Sequence, residues 1–537
     1  MTPRSMLKVP RRALGLLLLC FALTAGAPVQ AEQVLRRGIP GEPNSLDPAK
    51  ASLWLEYYLM KDIYEGLVSY DGAGKIVPGV AESWSASADG TVYTFKLRAD
   101  AKWSDGSPVT AEDFFYSFRR LVDPATGAMD PRLQYPIKNA RPISKGEKPV
   151  DQLGVKVVDP RTLEITLERP TPYFLDLMAN GTALPVNRAN VEKTGGQFAK
   201  PGVLVSNGAF KLTGHVANDS ITLEKNPAYW NAANVRLDKV VYLPFVDQAA
   251  SVRRFEAGEV DMVFTFPASD LPRLRKAYGD QVRVAPGLTV EYYVFDTRRP
   301  PFNDVRVRRA LSMVVDRDFL AQEIFQGTAR PSYSMLASGM ASYGDPSKAD
   351  FADWSQIDRD DAAARLIKEA GYGAGGKPLD ITIRYNTSPT NERAATAVAH
   401  MWKQAFGAKV TLHNLDLASH YAYLQQGGEF QVARGSRTAE YADAEAVLSL
   451  DISTSKTFNY AKYNNPEYDA LVARSYNEGD PATRSATLHR AEALLMRDQP
   501  TMPLLNMANL WLVSSRVKGY QDNALNEHPS RFLSLAE

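Results

Sequence analysis

The chain has 537 residues, enough for two to four domains of roughly 100–200 residues each. Its 45% apolar, 23% charged and 10% aromatic residues are typical of a globular protein and exclude a mainly disordered, collagen-like or disulfide-stapled chain. The 62 basic and 61 acidic residues give a net charge of +1, so the chain lacks the positive field of a dedicated nucleic-acid-binding protein.

The first 31 residues have the three-part pattern of a cleavable signal peptide. A basic head precedes an apolar run over residues 13–27, and Val29 and Ala31 place small residues at the two positions that a signal peptidase reads. We therefore predict secretion with cleavage after Ala31. Loss of this segment removes four basic and no acidic residues, which changes the net charge from +1 to −3.

Two other interpretations of this segment stay open. The apolar run could anchor the chain in a membrane, although it is short for a bilayer span. Cys20, the only cysteine, could carry a lipid, but lipidation needs a small residue just before it and Leu19 stands there. Cleavage leaves a mature chain without any thiol.

Strand and helix patterns alternate along the rest of the chain. Period-two alternation predicts strands at 91–97, 154–158 and 162–167. Capping residues and proline positions predict helices after Thr110, at 306–313, 316–325 and 361–370, and from Pro466 and Pro481. This alternation predicts an α/β fold class with mixed sheets.

Patterns typical of enzymes are weak in this sequence. A glycine-rich stretch at 371–377 has the spacing of a phosphate-binding loop, but a predicted helix precedes it and a strand follows, which is the wrong order. No two of the six histidines have the i, i+4 spacing of a helical zinc site, and no G-x-S-x-G motif occurs. We predict no cofactor, no metal and no catalytic site, with a secreted hydrolase as an alternative.

Nine short motifs occur in one order along the chain. They are EPNSLDP at 42–48, YEGL at 64–67, PGVAESW at 78–84, KWSDG at 102–106, NGAFKL at 207–212, NPAYW at 226–230, GEVD at 258–261, PPFNDVR at 300–306 and FQVAR at 430–434. In these motifs and their order the chain resembles the periplasmic oligopeptide-binding proteins of ABC importers, the extracellular solute-binding family 5.

The resemblance implies a two-lobed clamp of three domains. Domain I would comprise 32–64, 186–290 and 507–537, domain II 65–185 and domain III 291–506. The chain would cross between the lobes near 291–294 and 506–507. A periplasmic, mostly monomeric receptor of this kind encloses a peptide between its lobes and delivers it to an inner-membrane ABC permease.

The resemblance also implies a site for the ligand α-amino group. Members of the family carry an aspartate shortly after the arginine of the Phe-x-Val-Ala-Arg strand, and here Glu440 stands at that position beside Tyr441. Arg434 is retained and is expected to pair with a ligand carboxylate or with Glu440. Gly435 and Ser436 follow it in the expected ligand-binding segment.

Four other expected ligand-binding residues depart from the family pattern. Arg437 replaces a tryptophan, Asn180 a histidine, Ser52 a glutamate and Arg132 a tyrosine. Two added arginines predict a more cationic pocket and favour an acidic peptide, unless Arg437 points to solvent. A cell-wall peptide or a metal chelate stays open as the ligand.

Overall fold

A computed structural model of the chain describes residues 32–340 and 343–536. The predicted signal peptide, its cleavage site and Cys20 lie outside these residues. Within them, no helix is both long enough and apolar enough to cross a lipid bilayer.

The largest element is a mixed sheet of eleven strands that extends through the whole molecule. Ten of its strands follow one another in the order β15-β14-β16-β12-β17-β11-β1-β10-β9-β8, and β13 pairs with β17. The strands are β1 (Val34–Ile39), β8 (Phe210–Val216), β9 (Ser220–Lys225), β10 (Lys239–Pro244), β11 (Met262–Phe264), β12 (Val282–Phe295), β13 (Ala329–Pro331), β14 (Asp380–Asn386), β15 (Lys409–Leu415), β16 (Val432–Thr438) and β17 (Thr501–Val513).

Two long antiparallel strands at the centre of this sheet connect the two halves of the molecule. β12 and β17 pair from Val282 opposite Leu512 to Val294 opposite Thr501, with irregularities after Pro286 and Glu291. The Asn506 side-chain amide donates to the carbonyl oxygens of Gly287 and Thr289, at 2.9 and 3.0 Å, and so fixes the first irregularity.

The hydrophobic cores divide along these two strands. One cluster lies between Leu288 and Leu505, and the other clusters comprise residues before Leu288 and after Leu505. We call residues 32–287 and 506–536 the first lobe and residues 288–505 the second lobe. One continuous cluster joins the predicted domains I and II, and the division into three domains stays a prediction.

The first lobe adds small sheets and short helices to its part of the large sheet. A four-stranded sheet has the order β4-β5-β7-β6, and β2 pairs with β3 and β18 with β19. These strands are β2 (Val68–Tyr70), β3 (Ile76–Pro78), β4 (Ala81–Ala86), β5 (Val92–Leu97), β6 (Val155–Asp159), β7 (Thr162–Thr166), β18 (Val517–Lys518) and β19 (Ser534–Leu535). The helices are α1 (Trp54–Ile63), α2 (Ala111–Val122), α3 (Ala140–Ser144), α4 (Phe174–Met178), α5 (Arg188–Thr194), α6 (Gln248–Glu256) and α7 (Leu271–Tyr278).

The second lobe is mainly helical around its part of the sheet. Its helices are α8 (Val305–Met313), α9 (Arg317–Phe319), α10 (Gln356–Glu369), α11 (Pro389–Phe406), α12 (Leu417–Gln425), α13 (Glu445–Leu448), α14 (Pro466–Ser475) and α15 (Pro481–Asp498). The single helix predicted at 316–325 is instead the short turn α9 followed by a π-helix at Leu320–Ile324. Sequence periodicity does not distinguish this wider turn from an ordinary helix.

Candidate ligand-binding cavity

A cavity of about 750 Å³ lies between the two lobes. The first lobe contributes α1, segments 129–133 and 180–182, Phe264 and a segment near the carboxyl terminus at 524–527. The second lobe contributes Leu288, Thr289 and segment 438–440. We call this space the interlobe cavity. Four of the nine predicted site residues line it: Ser52, Arg132, Asn180 and Glu440.

A larger groove, of about 1040 Å³, lies within the second lobe between the π-helix, α10 and α11. None of the predicted site residues lines it, and all of its lining residues come from one lobe. The interlobe cavity is the better candidate because ligand sites concentrate where domains meet.

Glu440 lies at a charged end of the interlobe cavity. Its carboxylate is 3.5 Å from the Arg132 guanidinium, so a contact joins the two lobes here. Arg132 also binds Asp130 with two parallel hydrogen bonds of 2.8 and 2.7 Å. Two carboxylates therefore share one guanidinium, which leaves one negative charge for a ligand cation to neutralise.

The surroundings of Glu440 raise the pKa of its carboxyl group. Partial burial raises the pKa of its carboxyl group, Arg132 lowers it and Asp130 raises it again, with a net increase. The same two acids act on the neighbouring Tyr57, whose pKa is raised to about 12 by burial, Asp130, Glu56 and Glu440. A cationic ligand group beside Glu440 would relieve this accumulation of negative charge.

Arg434 does not reach Glu440. Its guanidinium binds the Glu291 carboxylate, the Asn386 side-chain oxygen at 2.9 Å and the Tyr421 hydroxyl at 3.0 Å. Both partners of the Arg434–Glu291 ion pair are largely buried within the second lobe. The expectation that Arg434 holds Glu440 is therefore wrong, because Glu291 takes that place.

Arg437 is neither in the interlobe cavity nor in solvent. It is only 7% exposed, and its guanidinium donates to Asp451 at 2.6 Å. Successive side chains of a strand point to opposite faces, and on β16 Arg437 points into the second-lobe core. The expectation of either a cationic pocket residue or a solvated one is wrong at this position.

Three other predicted residues have structural contacts away from the cavity lining. A Cβ atom on Gly435 would lie 2.3 Å from the Tyr292 ring, so only glycine fits there. The Ser436 amide donates to the Tyr421 hydroxyl at 3.1 Å. Tyr441 stacks on Tyr173 of the first lobe, with 4.7 Å between ring centroids, and its hydroxyl donates to Glu445.

Ser52 and Asn180 are held in the cavity wall by local hydrogen bonds. The Ser52 amide donates to the Glu56 carboxylate at 2.7 Å, at the start of α1. The Asn180 side-chain oxygen accepts the Thr182 amide at 3.0 Å and caps the following turn. Neither residue adds charge to the cavity.

Several cavity residues are absent from the sequence prediction. Asp130 lies two residues before Arg132, and Trp54 lies two residues after Ser52, so their closeness in sequence to predicted site residues could have indicated both. Lys61 and Glu527 form an ion pair across 466 residues of sequence, which no local pattern could indicate.

The charges that line the cavity do not favour an acidic ligand. Lys61 and Arg132 are the basic residues, whereas Asp130, Glu440 and Glu527 are acidic. The lining therefore carries an excess of one negative charge. Arg437 does not change this excess, because it lies in the second-lobe core and is paired there with Asp451. The expectation of a more cationic pocket is wrong.

A strand edge lies beside the charged end. In the described part of the chain, β14 pairs with β16 only at Val432 and Ala433. The Ser436 amide is taken by the Tyr421 hydroxyl, so the edge of β16 that has no second partner strand and also lines the cavity is its end at Thr438. An extended peptide can add to such an edge through backbone hydrogen bonds that do not depend on its sequence.

Comparison with known proteins identifies the family. The model of the bacterial extracellular solute-binding proteins, family 5 Middle, matches residues 75–459. The chain belongs to solute-binding family 5. A periplasmic murein peptide-binding protein from Escherichia coli K12 is 38% identical over 93% of this chain and 92% of its own length. A periplasmic oligopeptide-binding protein from the same organism is also 38% identical, over 94% of this chain and 93% of its own length. A probable deoxycholate-binding periplasmic protein from the same organism is 36% identical over 92% of both chains.

Solved structures of family 5 confirm the α/β fold class and the two-lobed clamp. The unliganded open form of the murein tripeptide-binding protein MppA superposes with a TM-score of 0.85 at 38% identity, over 94% of this chain and 98% of that one. The Haemophilus influenzae oligopeptide-binding protein in complex with the peptide RPPGFSPFR has a TM-score of 0.76 at 33% identity, over 95% and 100%. Among residues 32–340 and 343–536, no group of three or more His, Cys, Asp or Glu side chains is placed to hold a metal ion.

Proposed function

We propose that this protein is a periplasmic receptor that captures peptides in the interlobe cavity and delivers them to an ABC permease. The observation that carries the proposal is the charged end of the cavity, where Asp130 and Glu440 share Arg132 and leave one uncompensated negative charge. The peptide-binding names of its family-5 relatives support the ligand class, and their periplasmic location supports the compartment.

The ligand α-amino group binds at this charged end. An ammonium group enters a closed cavity only if an opposite charge replaces its water shell. Glu440 supplies that charge from the second lobe, while Asp130 in the first lobe neutralises Arg132 through two hydrogen bonds. The end of β16 at Thr438, which lines the cavity, receives the peptide backbone.

The receptor acts by binding alone. Closure of the lobes over the peptide is the functional step, and no covalent bond of the ligand changes. The protein functions as a monomer with respect to ligand binding, because both sides of the cavity come from one chain.

Isothermal titration calorimetry with paired peptides tests this proposal. Trialanine with a free amino group should bind, and N-acetyl-trialanine should bind at least about tenfold more weakly, since acetylation removes the positive charge. Mass spectrometry of the peptide after prolonged incubation should recover it intact. Equal affinities of the two peptides would overturn the amino-group site, and cleavage would overturn the binding-only mechanism.

A further inference from the structure

Three aromatic rings form one side of the interlobe cavity. Trp54 and Phe264 have ring centroids 4.5 Å apart, and Trp54 and Tyr58 have centroids 5.2 Å apart in an edge-to-face arrangement. All three residues line the cavity and belong to the first lobe. We call Trp54, Tyr58 and Phe264 the aromatic wall.

The aromatic wall leaves a large apolar surface facing the cavity. Trp54 is 43% exposed, although Leu55, Leu59 and Ile63 on the same helix are buried in the core. Leu288 and Leu525 add apolar side chains to the same cavity. Exposed apolar surface inside a concave site is typical of a ligand contact.

Hydrogen bonds and packing within the first lobe hold the wall in place. The buried Glu56 carboxylate accepts the amides of Ser52 and Leu53, at 2.7 and 2.8 Å, and so holds the residues that lead into Trp54. Behind the wall, Trp511 packs against Phe264 with 5.0 Å between centroids, and the Tyr58 hydroxyl donates to the Asn526 carbonyl. A preformed surface of this kind binds a ligand group at little ordering cost.

The charged end and the aromatic wall belong to the same cavity. Tyr57, whose pKa is raised in part by the charges of Asp130 and Glu440, directly precedes Tyr58 of the wall. A ligand held by its amino group at Glu440 therefore presents its side chains to a site with one strongly apolar side.

We propose that the receptor prefers peptides that carry an aromatic side chain, which packs on Trp54 and Phe264 while the α-amino group binds at Glu440. This inference rests on the proposed function and names the substrate class of the same cavity. Aromatic pairs add to simple area burial when the rings meet edge-to-face or offset.

A positional series of tripeptides tests the preference. Trialanine is compared by calorimetry with the three tripeptides in which one alanine is replaced by phenylalanine. We expect one of the three to bind about tenfold more tightly than trialanine. In Trp54→Ala this ratio should fall to about 1, whereas Trp54→Phe should keep most of it.

Two controls separate a contact with the ligand from a general structural effect. Trp354→Ala replaces a tryptophan that is equally exposed, at 42%, but lies in the second lobe outside the interlobe cavity, and the ratio should not change. The change in intrinsic fluorescence that the phenylalanine peptide induces in the wild type should be lost in Trp54→Phe. Thermal melting checks that each variant folds.

The possible results have distinct meanings. If peptides bind but phenylalanine gives no advantage at any position, or if Trp54→Ala keeps the ratio, the aromatic preference is overturned and the proposed function stands. If no peptide of the series binds, both fail. If sodium deoxycholate binds in a Trp54-dependent manner and phenylalanine gives no advantage, the wall serves a steroid and the peptide assignment of the wall is overturned.

Discussion

Glu440 is the residue on which recognition of the amino group depends. We expect Glu440→Gln, which keeps the size of the side chain and removes its charge, to weaken binding of trialanine about tenfold to a hundredfold. Breaking a fully buried charge pair costs about 2–5 kcal/mol, and the half-exposed position of Glu440 reduces that cost through solvent screening. Calorimetry measures the change. Glu82→Gln, an exposed substitution on β4, should leave the affinity unaltered.

The charge of Glu440 should also make the affinity for peptides depend on pH. Only deprotonated Glu440 attracts an ammonium group, and partial burial raises the pKa of this carboxyl group above its usual 4.5. The affinity of the wild type should therefore fall as the pH decreases through that raised pKa. The fall should begin at a higher pH than it would for a glutamate with an ordinary pKa. The Glu440→Gln protein should lack this component. Parallel pH profiles of the two proteins would contradict the assignment.

At the scale of residues, the sequence does not show which acidic residue pairs with each arginine, because the partners lie far apart along the chain. The resemblance brought Ser52, Arg132, Asn180 and Glu440 to one cavity. It could not place Arg434, whose partner Glu291 is 143 residues away, or show that Asp451 neutralises Arg437. The charge of a pocket depends on such pairs, which a list of basic and acidic positions does not contain.

At the scale of elements, α15 holds the segment that follows β13. The buried Glu492 carboxylate on α15 accepts hydrogen bonds from the Ser334 hydroxyl, the Tyr343 hydroxyl at 2.7 Å and the Ser347 amide at 2.6 Å. Burial raises the pKa of Glu492 from 4.5 to about 7, although these hydrogen bonds lower it. His489, one turn earlier on α15, stacks on Tyr343 with 4.0 Å between the rings.

This carboxyl group should make stability depend on pH. Because the folded protein binds the Glu492 proton more tightly than the unfolded chain, the contribution is complete below about pH 4.5 and is lost as the pH rises through about 7. Relative to Glu492→Gln, the wild type should lose roughly 2–3 kcal/mol of unfolding free energy between pH 5 and pH 8. Urea unfolding of both proteins at the two pH values measures this. A difference that stays constant with pH would contradict the prediction.

Elements with strong local signals were predictable from the sequence. The strand predicted at 91–97 is Val92–Leu97, and the helix after Thr110 begins with the expected capping box to Asp113. The helix predicted at 361–370 begins earlier, at Gln356, because the Ser355 side chain caps it by accepting the Asp358 amide. Tertiary pairing is a different matter. The order of strands in the large sheet depends on contacts between residues hundreds of positions apart, such as Val34 and Lys239.

For the whole molecule, the proposed function requires the lobes to approach each other when a peptide binds. The mature chain is predicted to contain no cysteine, so Val246→Cys in the first lobe and Ile357→Cys in the second can be labelled specifically. Both positions are exposed, at 92% and 75%. Single-molecule energy transfer between the two labels should show a narrower and shifted distance distribution with saturating trialanine.

The acetylated peptide provides the matched control for this measurement. At a concentration near the Kd of trialanine, N-acetyl-trialanine should change the distance distribution of the labelled protein much less than trialanine does, because it occupies few of the sites. An unchanged distribution with trialanine, while calorimetry shows that it is bound, would mean that recognition occurs without movement of the lobes.

The central pair of strands has a mechanical consequence. β12 and β17 remain paired through the crossing between the lobes, and Asn506 bridges the irregularity at Gly287 and Thr289. Movement of the lobes can therefore be absorbed as a change in the twist of a continuous sheet, with its ladder of backbone bonds left intact. Closure and reopening as proposed would then leave the connection between the lobes intact.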